Sequence, residues 1–75
     1  MLQWSPYWVV GGVVLEEWAR SPISDAEYIV DRAQCAVWAR WCGSLSYVRA
    51  AQGRSWAHCR QIAEGLARGR YRRAA

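Results

Sequence analysis

Apolar residues recur every three or four positions through the first part of the chain. Trp4, Trp8, Gly11, Leu15 and Trp18 form such a series, the spacing of one helical face. Ser5-Pro6 reads as a helix start, with Ser as cap and Pro in the first turn. Ser21-Pro22 reads as a stop. The competing reading for residues 6–20 is a strand, because Val9-Val10 and Val13-Val14 are β-branched. The spacing favours a helix, with Gly11-Gly12 permitting close approach of another backbone.

A second helix is predicted from Ser24-Asp25-Ala26-Glu27, which has the form of a capping box. It runs to about Cys42 and stops at Gly43. Ala26, Ile29, Val30, Ala33, Val37 and Trp41 make its apolar face, and Glu27, Asp31 and Gln34 the opposite one. Trp38 falls in the middle of that polar face. A shorter helix capped by Ser44 or Ser46 carries Tyr47, Val48, Ala50 and Ala51 and ends at Gly53. Ser55 then caps a last helix with Cys59, Ile62, Ala63 and Leu66 on one side. The predicted architecture is all-α: one compact domain, residues 1–75, of three or four helices, with a helix-turn-helix in the C-terminal half and an Arg-rich tail that frays from about residue 68.

Composition adds charge and redox state to this picture. Net charge is +4, and every basic residue is Arg. A GC-rich genome accounts for that bias, although Arg is also the better fork for phosphate, carboxylate and aromatic faces. Five of the six acids precede residue 32, whereas seven Arg and one acid, Glu64, lie from Arg49 onward. Three cysteines cannot all pair within the chain. No basic segment precedes an apolar one, and the longest apolar run, Tyr7–Leu15, is about half a membrane span. A cytoplasmic protein with reduced thiols, not bound to membrane, is expected.

Catalytic and metal chemistry find few candidates. Cys35 and Cys42, seven residues apart on one predicted helix, stand too far from each other to share an ion or a bridge, and all three thiols read as small buried hydrophobes. His58 is the sole histidine, with no carboxylate closer along its helix than Glu64, and Glu16 and Glu17 diverge as neighbours. We expect no enzyme activity, no cofactor and no metal.

The segment Leu45-Ser46-Tyr47 followed by Gly53-Arg54-Ser55 resembles the helix-turn-helix of sigma-factor region 4 and the similar module of phage Q-type antitermination proteins. Ser24-Asp25-Ala26-Glu27 through Ile29-Val30-Asp31-Arg32-Ala33 resembles the preceding helix of that family, and Leu15-Glu16-Glu17-Trp18-Ala19-Arg20 its acidic-Trp start. Gln52 stands where the pattern has an apolar residue. The resemblance spans roughly Leu15–Arg68. It implies a small phage-type regulatory protein that binds DNA, or RNA polymerase on DNA, through the basic helix-turn-helix-like unit Ser46–Arg73. Arg54, Trp56, His58, Arg60, Gln61, Arg68, Arg70, Arg72 and Arg73 are the candidate contacts. The alternative is an inhibitor or adaptor that blocks a host or defence protein through exposed Trp and Arg, with Trp38 as the leading hot spot. A homodimer through Trp4, Trp8, Gly11, Gly12, Leu15 and Trp18 completes the expectations.

Overall fold

A computed structural model describes residues 2–23, 25–41 and 44–69. They form five strands and a helix: β1 (Ser5–Val10), β2 (Val13–Arg20), β3 (Glu27–Asp31), β4 (Ala36–Arg40), β5 (Val48–Gln52) and α1 (Trp56–Ala67). The strands make one sheet in the order β1-β2-β3-β4-β5, each antiparallel to its neighbour.

The all-α bundle is therefore corrected. The first predicted helix is the β1–β2 hairpin. Gly11 and Gly12 have φ of +58° and +80°, the pair of left-handed residues that a two-residue type I′ turn requires. The second predicted helix is the β3–β4 hairpin. Its turn is set by Asp31, whose Oδ1 accepts from the amides of Ala33 and Gln34 at 2.9 and 3.2 Å, and Cys35 closes it with φ +51°. The short helix up to Gly53 is β5, so among the described residues no helix precedes α1 and no helix-turn-helix is formed. Cys35 sits in a turn, so it does not share a helix with Cys42. The helix caps assigned to Ser24 and Gly43, along with Cys42 and the tail residues Arg70, Arg72 and Arg73, lie outside the described residues.

Only the last helix stands where its cap placed it. Ser55 Oγ accepts from the His58 amide at 3.1 Å, and the pattern from Cys59 to Leu66 faces inward. α1 packs on β3, β4 and β5. The core lies between them: Ala19, Tyr28, Val30, Val37 and Ala39 from the sheet meet Cys59 and Ala63 from the helix. Small residues at the seam let the helix sit close. At Gly53, just past β5, a Cβ would come within 2.6 Å of Cys59 Sγ and 3.1 Å of the Cys59 amide nitrogen. Leu2 anchors the N-terminal segment, its amide donating to Glu64 Oε1 at 2.6 Å.

Candidate binding surface

The sheet face opposite α1 carries no helix among the described residues, and its registers set out three rows of side chains. Trp18, Ile29 and Trp38 pair in sequence across β2, β3 and β4, with Arg49 of β5 at the end of the row. Arg20, Glu27 and Arg40 form a second row, and Glu16, Asp31, Ala36 and Gln52 a third. The two indoles are half-buried and leave Ile29 only 6% exposed. Aromatic residues opposite a β-branched one across neighbouring strands are a favourable sheet pairing.

Polar contacts hold this aromatic row. Glu27 Oε1 accepts from Arg40 and, at 3.3 Å, from the Tyr47 hydroxyl. The Arg40 guanidinium lies over the Tyr47 ring, 4.9 Å from its centroid. Burial pushes the Tyr47 phenol up, while its hydrogen bond with Trp18 pulls the other way. Trp18, Tyr47, Glu27 and Arg40 thus form one connected network. The face bears Arg20, Arg40 and Arg49 against Glu16, Glu27 and Asp31, so its charges balance.

The described basic candidates of the C-terminal half, Arg54, Arg60 and Arg68, do not form a second surface of the expected kind. Arg60 turns back to Glu17, a carboxylate buried on the helix side of β2, with Nε 2.8 Å from Oε1. Arg68 lies 3.7 Å from Glu64 on its own helix. Trp56 is half-buried beneath the guanidiniums of Arg32 and Arg60, at 4.6 and 4.8 Å from its ring centroid. His58 Nδ1 accepts from the Arg54 amide at 2.9 Å, inside the first turn. Gln61 and the Arg54 side chain are left outward. All six acids and seven of the ten Arg are described, so the described residues carry a surplus of one positive charge, and Arg70, Arg72 and Arg73 account for the rest of the net +4.

The residues assigned to a dimer stripe are dispersed. Trp4 packs against the helix-side core. Trp18 belongs to the open face. Trp8, Gly11 and Gly12 lie in the exposed hairpin, and Leu15 is the position skipped between the pairs Trp8–Glu16 and Val9–Val14. Sequence reasoning passed over Ile29, Glu27 and Tyr47 as members of a site. The signal for them was period-two pairing across strands, which a helical reading hides. No family model, no curated protein and no solved structure matches the chain. No described helix is long and apolar enough to cross a membrane.

Proposed function

We propose that this chain is a protein-binding module of the adaptor or inhibitor kind, which engages a host or defence protein through the open sheet face. The observation that supports the reading is the Trp18–Ile29–Trp38 row, braced by Tyr47 and Arg40 and set among charges of both signs. Trp, Tyr and Arg are the side chains that dominate binding energy at protein interfaces. A face with equal numbers of acids and bases suits a partner that offers an apolar pocket rimmed by both charges. It suits nucleic acid poorly, because phosphate contacts need a cationic track.

Among the described residues no helix-turn-helix is present to bind DNA. The Arg of α1 that would read bases or grip phosphate are paired to Glu17 and Glu64.

Affinity capture from nuclease-treated lysate tests the reading, using the full chain and two variants. Arg49→Glu changes an exposed end of the row, and Trp38→Ala removes its centre. Both are expected to lose the partner while thermal unfolding stays cooperative. Capture that needs nucleic acid, or that falls steeply with salt, would overturn the reading in favour of nucleic-acid binding.

A further inference from the structure

The β1–β2 hairpin extends past the rest of the sheet. β2 meets β3 only from Glu16 onward, so Trp8–Leu15 stands beyond it as an arm, tied back by the Arg32 amide donating to the Leu15 carbonyl at 2.9 Å. Tyr7 and Leu15 are skipped in the register, and such bulges bend and twist a ribbon away from its sheet. Tyr7, Trp8, Val9, Val10 and Val13 are 49–57% exposed. Val9 pairs with Val14 and Val10 with Val13. Adjacent pairs face opposite sides, so both faces of the arm are apolar. No charge occurs from Leu2 through Leu15.

The two sheet edges are built differently. β5 carries Arg49 and Gln52 and a register shift opposite Val37 and Trp38, features that blunt an edge against pairing. β1 has Pro6 and the Tyr7 bulge at its start, then Trp8, Val9 and Val10 with an open line of backbone donors and acceptors. Two occupants can cover an uncharged arm: a lipid bilayer or another polypeptide. A bilayer takes up the side chains but leaves the unpaired amides and carbonyls of the arm in hydrocarbon, where open sheet edges do not occur. A second strand satisfies both. Beyond Pro6 and the Tyr7 bulge, Trp8–Val10 is an uncharged stretch of edge, and the edge among the described residues that matches it is β1 of a second copy.

We propose that two copies of this chain dimerise by antiparallel pairing of β1 with β1. Pro6 and the Tyr7 bulge confine the seam to Trp8–Val10. A two-fold axis then passes beside Val9, so that Val9 of one copy faces Val9 of the other and Trp8 faces Val10. This isologous arrangement joins the two five-stranded sheets edge to edge. It leaves the Trp18–Ile29–Trp38 row free, so dimerisation and partner capture are separable.

The self-facing position supplies the test. Sedimentation equilibrium of the full chain is expected to give twice the monomer mass of 8.6 kDa. Val9→Lys and Val9→Glu each place like charges opposite one another across the axis, and each alone is expected to be monomeric with an unchanged circular dichroism spectrum. Mixed in equal amounts, they are expected to recover the dimer as a heterodimer. Leu45→Lys, a charge on a loop side chain that is 94% exposed, is expected to leave the dimer intact. A wild-type chain that is monomeric at about 100 µM, two orders above the micromolar range of ordinary weak complexes, overturns the proposal. So does a dimer that survives Val9→Lys, or a mixture of the two variants that stays monomeric. Flotation with neutral and anionic vesicles covers the remaining occupant: an arm-dependent shift of the monomer into the lipid fraction also overturns it.

Discussion

The Arg60 side chain of α1 donates through Nε to Oε1 of Glu17 on β2 across 2.8 Å, forty-three residues apart in sequence. α1 packs chiefly on β3 and β4, so this ion pair pulls the helix toward the hairpin side of the sheet. Glu17 is 11% exposed at its side chain and Arg60 41%. The carboxylate has little water to fall back on when its partner is removed. Arg60→Ala is expected to lower unfolding free energy by about 2 kcal/mol, because truncation strands a largely buried charge. Glu17→Gln in the Arg60→Ala background is expected to restore part of the loss. Urea titration of the four proteins of the cycle measures the coupling.

Glu16 and Asp31 stand directly opposite on β2 and β3. Burial, and then the charge of Asp31, push the Glu16 carboxyl above its usual range. A carboxyl whose folded-state pKa is raised favours the fold when protonated, and that contribution is lost as pH rises through the raised value. Glu16→Gln is therefore expected to stabilise the protein by about 0.5 kcal/mol at pH 7, the scale of a like-charge cross-strand pair. The gain should vanish below pH ~4, where the wild-type carboxyl is itself neutral. Thermal unfolding across that range checks the sign; a gain that persists at pH 3 contradicts it.

Gly11 and Gly12 have open space where a Cβ would be built, so only their left-handed backbone restricts substitution. Gly12→Ala is expected to cost about 1 kcal/mol. Gly11→Asn keeps the turn, since Asn-Gly is a preferred type I′ pair, and is expected to be neutral within about 0.5 kcal/mol. Differential melting of the two variants distinguishes them.

Gly53 is restricted for the other reason, space. Gly53→Ala is expected to destabilise by about 1–3 kcal/mol through overpacking against Cys59. Adding Cys59→Ala removes the Sγ it meets and is expected to recover part of that loss, read from chemical denaturation midpoints.

These positions also explain what the sequence reveals and what it hides. Ser55 and the inward pattern from Cys59 to Leu66 belong to a helix covered on one side, so period and cap agree there. Val9-Val10-Gly11-Gly12-Val13-Val14 carries the two-residue hairpin signal, but both faces of that arm are apolar. No alternation appears, and Trp4, Trp8, Leu15 and Trp18 fall by coincidence at helical spacing. β3 obscures its own type in another way. Tyr28 and Val30 are buried by α1 and Ile29 by the indoles on the far face. A strand buried on both sides reads Glu-Tyr-Ile-Val-Asp rather than in alternation. Glu27, taken as part of a capping box, is the ion-pair partner of Arg40. Trp38 stood among polar residues on a helical projection. In the sheet its neighbours are Ile29 and Arg49, which a helical wheel places elsewhere. The basic back half and the Arg-rich tail were legible in the sequence, but the pairing of Arg60 with Glu17 and of Arg68 with Glu64 emerges only in the fold.

The Cys59 thiol is fully buried, and burial pushes its pKa up. Gly53 presses against it from the end of β5. A labelling reagent can reach Sγ only after the helix has lifted from the strands. The thiol is therefore an internal clock: its alkylation rate in native buffer reports how often α1 opens, separately from unfolding of the whole sheet.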